Sequence, residues 1–188
     1  WTLLGDGAYA CVHLAHICIA RGVTLISRLR LDAQLYAFPA PHTPNRRGPK
    51  PLKGKRLPSL KERVQEALAY GKDLEIPWYG GTVRRVRVLS NVCLWYTPCA
   101  RPVAIRWVLI VDPTGEAAPM AVFTTDRDQP VAMIIAAFVR RWNIEVTFEE
   151  TRRHLGVETQ RQWADLAIAR TTPALFALFS LVCLMAYR

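Results

Sequence analysis

The sequence predicts a mixed α/β protein, and three observations carry that expectation. A short apolar run at Thr2–Gly5, a helical stretch, and the β-branched run Val23–Leu29 form a strand–helix–strand order near the start. Strand-like runs at Thr82–Tyr96, Ala104–Asp112 and Met120–Thr124 fill the middle of the chain. Helical patterns then occupy Pro130–Leu155 and the segment from Pro173 onward.

Taken in order, Thr2–Gly5 reads as a buried strand ending at Asp6, and Tyr9–Arg21 as a helix stopped by Gly22. Val23–Leu29 follows as a strand, so parallel pairing with the first strand across a right-handed crossover is expected. From Phe38 to Pro58 the character changes to dense proline and basic residues, including PNRRGPKPLKGKRLP. Such a composition is expected to stay outside a packed core as a loop, ordered by a polyanion if at all. Leu60–Tyr70 reads as a short helix, and Pro113–Gly115 as a turn between strands. The most apolar run, Pro173–Ala186, is 14 residues long, against the ~20 a membrane span needs. A buried terminal helix is the expectation there. The chain opens on WTLLGD, without Met and already inside a strand-like run, as expected of a piece of a longer product.

Half of the 188 residues are hydrophobic, which suffices for a core. Lys and Arg number 25 against 15 Asp and Glu, a net charge of +10 that suits a polyanionic partner. Five cysteines in no disulfide-like framework point to a reducing compartment. No Walker-type phosphate loop, GxSxG or HExxH pattern is present. In Cys11-Val-His13-Leu-Ala-His16-Ile-Cys18 the helical period places the two cysteines on one face and the histidines opposite. Four ligands on opposite faces do not converge on one tetrahedral zinc, so core cysteines and surface histidines are expected. Cys93 and Cys99 have no metal-like spacing either.

Carboxylates remain as carriers of chemistry. Asp6 stands at a strand tip between two glycines, open either to a site or to capping the helix that follows. Asp112 reads as a turn residue and Asp126 as a cap for the long helix. Within FVRRWNIEVTFEETRRHLG, Phe138, Arg141, Glu149 and Arg152 fall within ~40° of Glu145 on a helical wheel. That file of charge reads either as exposed ion pairs or as a functional glutamate among arginines.

The same stretch resembles the signature of insertion-sequence transposases of the DDE type, in which Tyr, two residues, Arg, three residues, Glu, six residues and Lys lie on one helix. Phe138, Arg141, Glu145 and Arg152 meet that spacing. Phe138 lacks the tyrosine hydroxyl, and Arg152 stands where the family has lysine. LLGDGAYA resembles the family's second acidic motif and VTLISRLRLDAQLY the strand after it; the basic loop, the later strands and VETQRQW follow in the family's order. The resemblance covers nearly the whole chain.

It implies a ribonuclease H-like core, incomplete at its N-terminal side, with a β-rich insertion between the second Asp and the Glu. On that reading 1–35 carries the second acidic motif, 36–103 the basic loop and insertion, and 104–188 the return strands, the Glu-bearing helix and a terminal helix. Asp6 and Glu145 would be catalytic and metal-binding, with the first Asp lying before Trp1. The implied cofactor is a pair of Mg²⁺ (or Mn²⁺) ions, which take hard oxygen ligands and activate the attacking and leaving oxygens of phosphodiester cleavage. DNA is the implied partner, with a homodimer in the synaptic complex and a cytoplasmic, nucleoid-associated location. Arg141 and Arg152 would meet phosphates beside the metals, and Arg46, Arg47, Lys50, Lys53, Lys55 and Arg56 would track the DNA backbone. A solvated linker is the plain alternative for that basic loop. Trp78 and Trp95 fit core packing better than stacking on a flipped base. A catalytically dead DNA-binding remnant and a ribonuclease H-like nuclease remain as alternative functions.

Overall fold

The structure, a computed structural model, describes residues 1–40, 49–78, 81–98, 100–159 and 161–187. The chain divides into two compact units, Trp1–Arg140 and the segment from Arg141 onward.

The first unit is a mixed α/β layer structure. Its elements run β1 (Thr2–Gly5), α1 (Val12–Ala20), β2 (Thr24–Leu29), β3 (Leu35–Tyr36), α2 (Val64–Tyr70), β4 (Lys72–Pro77), β5 (Val83–Trp95), β6 (Val103–Val111), β7 (Met120–Thr124) and α3 (Val131–Arg140). The seven strands form one sheet in the order β1-β2-β7-β6-β5-β3, with β4 also on β5. β1 and β2 pair in parallel, Thr2 opposite Thr24, as the strand–helix–strand order predicts; the other pairs are antiparallel. Strands β3 and β4 escape a reading by pattern because β3 is two residues long and β4, KDLEIP, is charged and ends in proline.

Side-chain alternation assigns the two faces. Val103, Ile105, Trp107, Leu109 and Val111 of β6 join Val12, Ala15 and Cys18 of α1 and Ala67 of α2 in one core. Val108 and Ile110, on the opposite face of the same strand, join Ile134, Ile135, Phe138 and Val139 of α3 in a second core. Helices therefore cover both faces, which explains why β6 (VAIRWVLIV) is nearly continuously apolar although its neighbours are antiparallel. Trp95 packs against Phe123 with ring centroids 5.0 Å apart, so its place is the core. Trp78 is half-buried against the second core, its ring 5.7 Å from the Arg84 guanidinium.

The expected continuous helix over Pro130–Leu155 is two helices, α3 and α4 (Trp142–Leu155), with the unit division between Arg140 and Arg141. Arg141 keeps right-handed helical dihedrals, but the Ile144 N–H donates to its carbonyl at 3.2 Å, an i→i+3 bond that tightens the opening turn of α4. The composition changes at the same point: α3 is an apolar helix committed to the sheet, whereas α4 is rich in charge. In the second unit α5 runs from Asp165 to Ala186, eight residues earlier than expected. Pro173 lies inside it, at the cost of one backbone donor, rather than at its start. No residue of α5 is buried, contrary to the expected buried terminal helix. The Phe148 and Phe176 rings meet edge-on at 5.4 Å, but a pair of helices cannot enclose a helix that is apolar all round. Among the described residues α5 is long and apolar enough to cross a membrane by length and composition alone.

Asp112 holds the turn after β6. Its carboxylate accepts from the Thr114 hydroxyl at 2.7 Å, the Thr114 N–H at 2.9 Å, the Ala117 N–H at 3.0 Å and the Arg84 guanidinium at 2.7 Å. These donors, Thr114 first, hold its pKa down to about 2. A lowered folded-state pKa means that the stabilisation is complete above the unfolded value of ~3.9 and is lost as the pH falls towards the folded one. We expect the denaturant midpoint to drop between about pH 5 and pH 2. In Asp112→Asn that drop should be shallower, Asp73, which Arg87 and Arg85 also hold at about 2, supplying part of what remains. Equal pH profiles for the two proteins would show that the Asp112 cluster is not a folded-state feature.

Candidate functional site

The first candidate acid, Asp6, extends β1 with φ −81° and ψ −173°. One carboxylate oxygen accepts from the Ala8 N–H at 2.8 Å and caps the 3-10 turn at Gly7–Tyr9. The helix-cap reading is thus realised on a one-turn scale, while α1 proper begins later, at Val12. The Asp6 carbonyl accepts from the buried Ser27 hydroxyl at 2.5 Å, which ties the tip of β1 to β2. Gly5 is required by space: a Cβ there would lie 2.8 Å from the Tyr9 Cβ. Gly7 meets nothing within 4 Å. The residue itself is exposed. The fold therefore presents a carboxylate at the C-terminal tip of a parallel strand, on a turn that leaves it open to solvent.

The second acid, Glu145, lies in the first turn of α4. Its Oε1 accepts from Arg141 at 2.6 Å, the i,i+4 ion pair that helical spacing allows, with the Glu145 side chain 40% exposed. Of the anticipated file of four charges, Arg141 and Glu145 pair with each other. Arg152 turns to Glu158 at 2.8 Å, a residue beyond the helix end with φ +70°. His154 lies 3.3 Å from Glu150. Phe138 belongs to α3 in the other unit and is buried there, so its role is packing against the sheet.

Of the basic loop residues, Arg46 and Arg47 lie outside the described residues, as does Cys99. Lys50, Lys55 and Arg56 are exposed, and Lys53 is half-buried. The expectation of a loop without packing fails for its second half. Gly54 and Leu57 donate backbone N–H groups to Ala37 (2.8 Å) and Leu35 (2.8 Å), and Lys55 accepts from Ala37 at 2.9 Å. The backbone alone makes these bonds, which is why an unfavourable side-chain composition did not prevent them.

The Cys and His residues of Cys11–Cys18 lie in different surroundings. Cys18 is buried and Cys11 exposed, so the expected pair of core cysteines is half right. His13 is exposed, and His16 Nε2 lies 2.9 Å from the Arg101 carbonyl oxygen. Asp126 does not cap α3: its carboxylate accepts from the Asp128 N–H at 3.1 Å, within the preceding turn. Among the described residues no group of three or more His, Cys, Asp or Glu is placed to hold a metal. The sequence pattern missed the Arg84–Asp112 pair and the Asp73–Arg87 pair, because only strand register brings those charges together.

The chain matches no family model and no curated protein.

The turn geometry can be tested without assuming any activity. Gly5→Ala should destabilise the first unit by about 1–3 kcal/mol through overpacking against Tyr9, whereas Gly7→Ala should change it by less than about 0.5 kcal/mol. Chemical denaturation of the two variants measures both, and equal effects would contradict the close approach at Gly5.

Proposed function

We propose that the chain is the C-terminal part of a DDE-type insertion-sequence transposase with a ribonuclease H-like core, a cytoplasmic protein acting on nucleoid DNA. One observation carries this reading: the sequence spacing of Phe138, Arg141, Glu145 and Arg152, of which Glu145 and Arg152 lie on α4 with Arg141 at its N-cap and Phe138 on α3, together with the exposed Asp6 at the tip of a parallel strand in the order the family requires. The basic excess supports a DNA partner. The first unit holds 19 of the 25 basic residues but only 10 of the 15 acidic ones.

The proposed cofactor is Mg²⁺ or Mn²⁺. Carboxylate oxygens suit such hard cations, and Asp6 and Glu145 offer that chemistry. The donor count falls short: the family needs three acids, and this chain supplies two at matching positions. When bound, the metals would supply Lewis-acid activation of the attacking and leaving oxygens. Of the protein groups, Asp6 offers a carboxylate whose backbone is fixed by Ser27. Arg141 orients Glu145 through their 2.6 Å contact, a part-exposed i,i+4 pair that a metal cation would readily replace. Arg152, 53% exposed, is the arginine better disposed to meet a phosphate. These residues without a third acid are proposed to give no strand transfer.

A second reading, a DNA-binding remnant without catalysis, draws support from that same contact, since an ion pair is a complete local role for Glu145. The two readings diverge in one experiment. In a version extended to include the preceding coding sequence, Glu145→Gln should abolish Mg²⁺-dependent cleavage of element ends. It should cost the fold only ~0.3–0.5 kcal/mol, as for an exposed i,i+4 pair. Cleavage that survives the substitution would leave Glu145 as an ion-pair residue. For the chain as it stands, duplex DNA affinity should fall with salt, and Lys55→Ala combined with Arg56→Ala should lower the slope of log K against log salt by about two. Binding that ignores salt would remove the DNA partner.

A further inference from the structure

The four described cations of the basic segment are not equivalent. Lys50, Lys55 and Arg56 are exposed, but the half-buried Lys53 has its ammonium between two aromatic rings. Its Nζ lies 3.3 Å from the centroid of Tyr96 and 4.1 Å from that of Tyr36. The rings stand edge-to-face, 5.7 Å apart at 89°. Both are anchored by the sheet: Tyr36 ends β3, and Tyr96 follows β5 and donates its N–H to the Gln34 carbonyl at 3.0 Å. Directly after Lys53 the backbone is tied down. Gly54 comes so close to the chain at Phe38 that a Cβ would lie 2.6 Å from the Phe38 carbonyl oxygen. Residues 54–57 then run antiparallel beside β3, with an isolated bridge between Tyr36 and Arg56.

We propose that Lys53 is a positioning residue, whose clamp between Tyr36 and Tyr96 holds the basic segment on the β3 edge and presents Lys55 and Arg56 to a nucleic-acid backbone. The presenting role rests on the DNA-binding reading; the clamp does not. An ammonium over an aromatic face is held by the ring quadrupole, more strongly as water is excluded, and two rings share this one. A segment rich in proline, lysine and arginine would otherwise have to be ordered at the moment of binding, and fixing it beforehand removes that cost. Lys53 is thereby withdrawn from the set of phosphate contacts that spacing alone assigned to it.

The test has two arms on the whole chain. Without DNA, thermolysin nicking within 49–58 should rise about tenfold in Lys53→Met and in Tyr36→Leu, and stay at the wild-type rate in Lys53→Arg and Tyr96→Phe, which keep the cation and the ring. With duplex DNA, Tyr36→Leu, which removes no charge, should weaken binding as much as Lys53→Met. The double variant should be no worse than either, because both break one interaction. Tyr96→Leu gives the same comparison from the other ring. A Lys53→Met loss of affinity with the salt slope reduced by about one, while the tyrosine variants bind like wild type, would make Lys53 a phosphate contact and overturn the proposal. Unchanged nicking in Lys53→Met overturns the clamp itself. Failure of the wild-type chain to bind DNA overturns the DNA-binding reading and the presenting role with it, while the nicking arm still reports on the clamp.

Discussion

Burial of β6 on both faces is the constraint on which the rest of the first unit depends. A strand covered by helices on both sides must be apolar at successive positions, and Val108 to Val111 are all buried. Once β6 is central, its neighbours are fixed. β5 pairs along nine residues from Arg87 to Trp95, and β7 along five. Register then decides where each charge falls. Arg84 lies beyond the stretch of β5 that pairs with β6, opposite Ile76 of β4, where it reaches the Asp112 turn at the end of β6. Sliding one strand by a residue would turn Trp107 out of the α1 and α2 core and undo that ion pair together.

Charge is distributed as unevenly as hydrophobicity. The excess of basic residues belongs to the first unit, whereas the segment from Arg141 onward carries six basic and five acidic residues. Glu145 thus sits in a nearly balanced helical unit, where an arginine four residues away is enough to satisfy it. The same spacing serves an ion pair and the proposed metal-binding pattern, because both need two side chains on one helical face. Geometry at this helix therefore does not separate the two roles; chemistry at the carboxylate does.

The two candidate acids owe their positions to different physics. Asp6 is placed by the backbone: Gly5 allows Tyr9 to close over the strand end, and Ser27 grips the Asp6 carbonyl from the neighbouring strand. Glu145 is placed by helical periodicity and by its ion pair with Arg141. A strand tip fixed by tertiary contacts is a rigid platform, whereas an ion pair in an opening helical turn is readily exchanged for another partner.

The sequence by itself determined the mixed α/β class, the parallel pairing of β1 and β2, the long central strands, and the Arg141–Glu145 pairing on one helical face. The elements follow from local periodicity, in which a run of a few residues carries its own signal, and the parallel pairing from their strand–helix–strand order. It did not determine the break at Arg141, the start of α5 at Asp165, or the short strands β3 and β4. A two-residue strand has no period, and proline reads as a helix start even when the helix runs through it. Only the tertiary structure decided that half of a proline-rich basic loop is tied to a sheet edge, that Lys53 meets two tyrosines, and that Asp112 meets Arg84. Those contacts join residues far apart in the chain through strand register, and register is settled by which side chains the finished core can bury.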